Sequence, residues 1–354
     1  MGHNASRQDG PPPNCTDHEL AHDLLLVWHG VVLAVGLPLN AVALAVFACL
    51  LARANQAVVY LANLAACDLL FTLALPFRLY FYAAGDWPFG DALCQAAGSL
   101  FQINLSGSCL FLAAINADRC LALAYPLRFR HLRRPPVARR VCAAIWAAIV
   151  LGSVPVALAH DTSLCLGPGG RRERRCFEGF SDRAWRRELL PLVGAQFLLG
   201  FLLPLVAVLC SSGRVLWALR GRPSTPSSPG PSSGRRRKTV KLLVVNAAIF
   251  VVCFAPYNVA LLAYAAQRAS VNQEDGRRPS TARWALQVAT LLSCANCCLD
   301  PLVYYFSAEG FRRTLRARAG AGGPTGKGRT GPRREEGAMV PIVEGGNGNA
   351  QEDL

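Results

Sequence analysis

The chain contains few charged residues, and acidic residues are the scarcer kind. Charged residues make up 17% of its 354 residues, against about 25% in ordinary soluble proteins, whereas hydrophobic residues make up 52%. Lys and Arg number 37 and Asp and Glu only 22, so the formal net charge is +15. This composition disfavours a cytosolic enzyme, a disordered or collagen-like chain and a compact secreted module. It favours a membrane protein with basic loops.

The N-terminal residues lack an apolar stretch that could serve as a cleaved signal peptide. We therefore expect residues 1–23 to form a polar tail and the first hydrophobic segment to direct membrane insertion. The chain also lacks a visible internal repeat, which many transporters carry. A transporter or channel is kept as an alternative from a different class of protein.

Long runs without Asp, Glu, Lys or Arg predict membrane-spanning helices, since a helix needs about 20 apolar residues to cross the hydrocarbon layer. Five runs are 24–52, 92–117, 141–160, 189–213 and 242–267. Two more appear if single charges are allowed, one containing Asp68 and Arg78 and the other Asp300. The predicted fold is an all-α membrane protein, a seven-transmembrane helix bundle. Its predicted spans are about 24–51, 57–83, 92–123, 141–160, 189–217, 240–267 and 284–306.

Three further segments have a polar or mixed composition. Residues 221–234 are rich in Pro, Ser and Gly, and residues 319–354 are Gly-rich and polar, so both are predicted to be disordered. Between the seventh span and the tail, residues 307–318 alternate apolar or aromatic residues with Arg. This alternation predicts a short amphipathic helix on the membrane surface.

The basic residues predict the orientation of the bundle. Residues 128–140 and 214–241, which follow the third and fifth predicted spans, carry many Arg and Lys and no acid. Such segments stay in the cytosol, so we expect an extracellular N-terminus and a cytosolic C-terminus at the plasma membrane. Glycosylation sequons at Asn4 and Asn14 lie in the tail that this topology puts outside.

The fourteen cysteines fall into two groups in this topology. Cys15, Cys94, Cys165 and Cys176 lie outside the cell, where disulfides persist, and the others lie in or near spans or in the cytosol. Four cysteines allow three pairings. We favour Cys94–Cys176, which ties the third span to the second outer loop, together with Cys15–Cys165.

Several polar residues lie at membrane depth, where a charge is costly and suggests a function. They are Asp68, Asn104, Ser108, Asn296 and Asp300. Together they could hold a small cation such as an allosteric sodium ion, and no other metal or cofactor is expected. The alternative is that these residues only satisfy one another through hydrogen bonds between helices.

Basic residues also lie near the outer ends of the predicted spans. They are Arg78, His160, Arg268 and Arg283. Basic groups around an outer cavity would attract an anion and hold it by charge-assisted hydrogen bonds. The alternative for each residue is a long side chain that reaches the interface and anchors a helix end.

An enzyme is disfavoured although one catalytic pattern occurs. Residues 18–22 read His-Glu-Leu-Ala-His, which matches the zinc-protease pattern H-E-x-x-H. The tail is too short to fold a catalytic domain around it, and no third ligand is evident. We therefore expect no catalytic residues.

Short motifs run through the predicted spans in a fixed order. They are Asn40, Leu64-Ala65-Ala66-Cys67-Asp68, Cys94, Asp118-Arg119-Cys120, Trp146, Pro204, Cys253-Phe254-Ala255-Pro256-Tyr257 and Asp300-Pro301-Leu302-Val303-Tyr304. From about residue 24 to 318 the chain resembles the rhodopsin-like (class A) G-protein-coupled receptors. The resemblance implies a receptor that couples to heterotrimeric G proteins, arrestin and receptor kinases, and that has no nucleic-acid partner.

Longer stretches, some of them in loops, resemble the lysophosphatidic acid receptors of that family. They are GLPLNAVAL (36–44), DLLFTLALPFRL (68–79), RFRHLRRPPVAR (128–139), CFEGFSD (176–182), SSGRVLWAL (211–219), RRRKTVKLL (235–243) and DPLVYYFSAEGFR (300–312). The resemblance implies lysophosphatidic acid as ligand, coupling through the Gq and twelve/thirteen classes, and phosphate binding by Arg78, His160, Arg268 and Arg283. A receptor for a nucleotide or another small anion is the alternative, because it would use the same arginines.

The resemblance also implies a switch. Arg119 would leave Asp118 and meet the G protein when the sixth span swings outward at a kink at Pro256. The residues implied in this machinery are Asp118, Arg119, Phe254, Pro256, Asp300, Pro301 and Tyr304. Cys120 and Phe254 replace a usual Tyr and Trp, and Arg236 stands where some relatives have an acidic partner for Arg119. The resemblance therefore implies that one interaction that stabilises the inactive state in some relatives, the ion pair with Arg119, is absent here.

Overall fold

The computed structural model describes residues 19–50, 56–159, 162–166, 171–176, 189–220, 231–270, 280–307 and 311. Within these ranges, seven helices are long and apolar enough to cross a membrane. The predicted seven-helix bundle is therefore confirmed.

Four spans are single α-helices and three are interrupted. The first four are Glu19–Leu50, Gln56–Ala84, Gly90–Ala124 and Pro135–Ala159. The fifth comprises Leu190–Ala195, a π-helical segment Gln196–Leu202, and Leu203–Arg220. The sixth comprises Pro231–Ile249, a π-helical segment Phe250–Phe254, and Ala255–Ser270. The seventh comprises Ser280–Cys294 and Asn296–Ser307.

Several helices begin before their predicted apolar segments. The first begins at Glu19, inside the predicted tail, and the sixth begins at Pro231, inside the predicted disordered linker 221–234. The fourth begins at Pro135 rather than near residue 141. Hydrophobicity marks the part of a helix that lies in lipid, whereas a Pro suits the first helical turn because its missing N–H has no partner there. Residues 221–230, most of 307–318 and all of 319–354 lie outside the described residues.

A short hairpin makes the fold not wholly α-helical. Strands β1 (Ser163–Leu166) and β2 (Arg172–Arg175) pair antiparallel between the fourth and fifth spans. β2 reads Arg-Glu-Arg-Arg, so it lacks the apolar–polar alternation that would predict a strand from sequence.

One predicted disulfide is confirmed at this end of the bundle. Cys94, in the third span, is bonded to Cys176, which directly follows β2, with a Cα–Cα distance of 5.8 Å. Cys165 in β1 is also disulfide-bonded, and its predicted partner Cys15 lies outside the described residues. The sequons at Asn4 and Asn14 lie outside them as well. We call the end of the bundle with Cys94–Cys176 the disulfide end.

The third span lies at the centre of the bundle, against the second, fourth and fifth spans. It approaches the second span closely, since a Cβ added at Gly107 would lie 2.7 Å from the Sγ of Cys67. Lipid removes most of the hydrophobic drive between helices, so close packing through small residues holds them together. The largest fully buried side chains of the main core cluster are aromatic: Phe47, Phe71, Phe111, Phe250, Phe254 and Tyr304.

Candidate functional site

Three of the four residues predicted to bind phosphate line one cavity near the disulfide end. Arg78 comes from the second span, Arg268 from the sixth and Arg283 from the seventh, and the cavity has a volume of about 260 Å³. Three helices, the second and the consecutive sixth and seventh, therefore bring their cations to one place. His160 lies outside the described residues, so its role stays a prediction.

Arg78 is the most deeply placed of these cations. Only 6% of it is exposed, and its guanidinium carbon lies 5.1 Å from the centroid of the Phe101 ring. Phe101 in turn meets Tyr257 edge to face, with ring centroids 5.3 Å apart. The electron-rich face of an aromatic ring attracts a guanidinium and keeps it in a defined orientation. No Asp or Glu is among the described residues that line the cavity, so the charge of that lining is positive.

The remaining wall of the cavity combines uncharged polar and apolar side chains. The uncharged polar residues are Gln102, Gln196, Gln287 and Thr290, and the aliphatic ones are Leu25, Val156, Leu189, Leu192, Val193, Leu261 and Leu286. Cations beside an apolar wall fit an amphiphilic anion better than a uniformly polar one. Sequence reasoning missed the three glutamines, because a Gln in a span looks the same whether it faces a cavity or another helix.

A second polar cluster, the inner network, lies at mid-bundle and contains residues predicted for a cation or polar site. Asp68 is fully buried, and the Asn104 side-chain amide donates to its Oδ1 at 2.9 Å. The Tyr304 hydroxyl lies 3.1 Å from Oδ2 of Asp68 and 3.0 Å from Oδ1 of Asn40. Asn296 donates to the Ser108 hydroxyl at 3.2 Å. The predicted members Asp68 and Asn104 are thus joined directly, as are Asn296 and Ser108.

Asp300 differs from Asp68 in its surroundings. It is fully buried within hydrogen-bond reach of Asp68, and no other described side chain donates a hydrogen bond to its carboxyl oxygens. Two neighbouring buried carboxyl groups are stabilised by a shared proton or by a cation. Oxygen ligands of this kind suit a hard cation.

Pro301 lies next to this network and leaves a backbone acceptor available. Its ring nitrogen has no proton, so the carbonyl of Cys297, four residues earlier, lacks its usual helical donor. The Asn40 side chain supplies the donor, with Nδ2 at 2.8 Å from the Cys297 oxygen. The first and seventh spans are therefore linked at the point where the seventh helix lacks a backbone hydrogen bond.

The sixth span combines its own proline with a π-helical segment. Pro256 lies two residues after the π-helical segment Phe250–Phe254, and the Asn258 side chain donates to the Phe254 carbonyl at 2.9 Å. Proline and π-turns are both common causes of helix kinks. The hinge predicted at Pro256, with Phe254 buried beside it, thus lies at an irregular point of the helix.

The end of the bundle opposite the disulfide end carries Asp118 and Arg119. The Arg119 guanidinium lies 3.5 Å from an Asp118 oxygen, and Arg133 lies 4.0 Å from the other oxygen. A hydrogen bond of 2.7 Å between the buried side chains of Asn246 and Asn116 joins the sixth span to the third. The sequence did not predict Arg133 as a second partner of Asp118. It also did not predict the contact between Asn116 and Asn246, because two asparagines 130 residues apart carry no signal of contact.

The residues described so far form an arrangement typical of a membrane receptor: a cavity at one end, a polar network at the centre and an ion pair at the other end. The chain matches the family model of the 7 transmembrane receptor (rhodopsin family) over residues 39–304. It belongs to that family, and it is a multi-pass G-protein-coupled receptor of the plasma membrane rather than an enzyme.

Three curated relatives show which receptors of this family the chain is similar to. Lysophosphatidic acid receptor 5 of Bos taurus is 53% identical over 305 residues, which covers 86% of this chain and 81% of that protein. Lysophosphatidic acid receptor 5 of Mus musculus is 52% identical, with 85% and 79% covered. Lysophosphatidic acid receptor 4 of Homo sapiens is 34% identical, with 86% and 79% covered. The resemblance inferred from the motifs is therefore confirmed.

Proposed function

We propose that this receptor binds lysophosphatidic acid in the cavity at the disulfide end. The observation that carries the proposal is the convergence of Arg78, Arg268 and Arg283 on one cavity that also has an aliphatic wall. The names of its relatives support the same ligand class.

The phosphate pairs with the arginines. A guanidinium presents several N–H donors in a plane and binds phosphate in a bidentate way, which fixes the position of the head group. Arg78 approaches from the aromatic floor at Phe101, and His160 adds a further donor.

The acyl chain packs against the aliphatic wall. Each buried CH₂ contributes about 0.8 kcal/mol, so ten contribute on the order of 8 kcal/mol before entropic costs. The cavity of about 260 Å³ is smaller than most ligand pockets, which hold about 300–1,000 Å³, so the helices around it separate to admit the chain. Chain burial supplies affinity and the arginines supply orientation.

In this proposal the disulfide end and the N-terminus face the exterior, and Asn4 and Asn14 are glycosylated. The Asp118 end and the C-terminus then lie in the cytosol. The basic segments 128–140 and 214–241 are the reason, since such segments stay on the cytosolic side.

Signalling follows from a shift between two populated states. The ligand favours the state in which the sixth span swings outward at Pro256, so that Arg119 leaves Asp118 and contacts the G protein. The proposed partners are the Gq and twelve/thirteen classes, followed by receptor kinases and arrestin.

The inner network holds an allosteric sodium ion in the inactive state. The proposed ligands include the carboxyl oxygens of Asp300, with Asp68, Asn104, Ser108 and Asn296 around them. Replacing NaCl by N-methylglucamine chloride is expected to change agonist potency in the wild type and not in Asp300→Asn. Equal responses of both proteins to the salt exchange would exclude sodium.

The ligand class is tested by competition. Lysophosphatidic acid is expected to raise calcium and Rho signals and to stimulate GTP exchange, and nucleotides are expected neither to do so nor to displace it. A receptor that responds to nucleotides and ignores lysophosphatidic acid would refute the proposal and support the anionic alternative.

A further inference from the structure

The π-helical segment of the fifth span begins at a residue that lines the cavity. Gln196 is its first residue, and its side-chain Nε2 lies 2.8 Å from the Oγ of Ser106 in the third span. A π-turn carries an extra residue compared with an α-turn, so it changes which side chains face the bundle, and such turns occur frequently at functional sites.

The hydrogen bonds of Ser106 determine which atom of the Gln196 amide is used within the protein. The Ser106 hydroxyl lies 3.0 Å from the backbone carbonyl of Gln102 and donates its single proton there. Its oxygen can then only accept, both from Nε2 of Gln196 and, at 3.4 Å, from Nε2 of Gln102. The amide nitrogen of Gln196 is thus used within the protein, and its Oε1 is left to accept a further hydrogen bond.

Gly200 provides the space in which this amide lies. A Cβ added at Gly200 would stand 2.7 Å from Nε2 of Gln196 and 2.9 Å from both Cδ and Oε1. Any other residue at this position would displace the amide. At Gly194, in the same span, an added Cβ would meet nothing within 4 Å.

We propose that Gln196, held in place by Ser106 and Gly200, is a specificity-determining residue that accepts a hydrogen bond from the glycerol hydroxyl of the ligand. This inference rests on the proposed function and identifies how one part of the head group is recognised. Arginine side chains only donate hydrogen bonds, so they serve the phosphate and ester oxygens. The free hydroxyl of a lysophospholipid is a donor, and Gln196, whose Oε1 is an acceptor, lines the same cavity.

The experiment compares lysophosphatidic acid with its 2-deoxy analogue, in which hydrogen replaces the glycerol hydroxyl. GTP exchange is measured for the wild type, Gln196→Leu, Gly200→Ala and the matched control Gly194→Ala, at equal surface amounts. The wild type is expected to prefer lysophosphatidic acid by about fivefold to tenfold, the usual effect of one hydrogen bond. Gln196→Leu and Gly200→Ala lose this preference while still responding to both lipids, and Gly194→Ala keeps it.

The outcomes separate this inference from the proposed function. A wild type that answers neither lipid at any concentration refutes the proposed function itself. A wild type that responds to lysophosphatidic acid, but whose preference is absent or is the same in Gln196→Leu, refutes only the role of Gln196. If Gly200→Ala does not reach the surface, Gln196→Leu decides alone, because that substitution keeps the side-chain size and adds no backbone clash.

Discussion

The cavity at the disulfide end and the inner network both contain buried polar side chains, but they use them differently. In the inner network, Asn104 and Tyr304 bond to Asp68, and Asn40 bonds to the backbone of the seventh span. In the cavity, Arg78 lies over an aromatic ring, and no acid is among the described lining residues. The inner network therefore links helices to each other, whereas the described cavity lining carries positive charge without an acid.

This difference has an energetic basis. A buried polar group is costly unless it is hydrogen-bonded, and the cost is larger for a charge. The inner network reduces the cost within the protein, so its residues should contribute mainly to stability and to the balance of states. If the cavity binds the phosphate as proposed, its arginines should affect potency more than stability.

The largest effect on stability is expected from loss of the disulfide Cys94–Cys176 beside the cavity. Cys94→Ala breaks the bond to Cys176 and should lower the free energy of unfolding by about 2–5 kcal/mol, since a native disulfide constrains the unfolded chain. Surface yield and thermal unfolding of the purified receptor measure this loss. Cys49→Ala, at an exposed cysteine outside the disulfides, serves as the control. Equal yields of the two variants would contradict a structural role of the bond.

The next effect distinguishes potency from stability. Arg268→Ala and Arg283→Ala should each lower the potency of lysophosphatidic acid about tenfold to a hundredfold, the cost of one charge-assisted hydrogen bond or two, with unfolding temperature nearly unchanged. Arg172→Ala, at an exposed arginine of β2 outside the cavity lining, is the matched control. Concentration–response curves and thermal unfolding give the two readouts. Unchanged potency in both variants would remove these residues from the site.

A smaller effect is expected at the Asp118 end. Asn246→Ala removes the hydrogen bond to Asn116 and should raise basal GTP exchange about twofold to tenfold, because the bond stabilises the closed position of the sixth span. Val244→Ala, at an exposed residue of the same helix, should leave basal exchange unchanged. Basal exchange equal to wild type in Asn246→Ala would show that the bond does not hold the inactive state.

The smallest effect tests the inner network alone. Tyr304→Phe removes the hydroxyl near Asp68 and Asn40 and should lower the free energy of unfolding by about 1 kcal/mol, with potency changed less than in the arginine variants. The neighbouring Tyr305 is exposed, so Tyr305→Phe is a matched control for loss of the same hydroxyl. A loss of potency in Tyr304→Phe as large as in Arg283→Ala would contradict the view that the inner network affects mainly stability and the cavity mainly potency.

The predictions from sequence succeeded where one residue type has one physical role. Charge-free runs located the spans because a charge is expensive in lipid, whatever its neighbours are. Arg78, Arg268 and Arg283 were predicted to meet because each lies near the outer end of its span, and all three line one cavity. The helix ends at Glu19, Pro135 and Pro231 were not predicted, because polar turns continue a helix beyond the lipid without a hydrophobic signal.

The partners of uncharged polar residues could not be predicted in the same way. Gln196, Ser106 and Gly200 acquire a joint role only through a π-turn and through the distance between two spans. The same holds for Asn116 and Asn246, whose hydrogen bond depends on how far the sixth span leans toward the third. An amide or a hydroxyl can be satisfied by many neighbours, so its chemistry alone does not select one.

From the order of its residues, this chain already specifies seven apolar helices, a basic face on one side of the membrane and a group of cations at the other end. These properties depend on the transfer of single residues between water and lipid, which is a local quantity. Only the packed bundle decides which amide faces the cavity, which carbonyl Asn40 caps and which helices Asn116 and Asn246 join. Those choices depend on distances of a few ångströms between distant parts of the chain, and packing sets such distances.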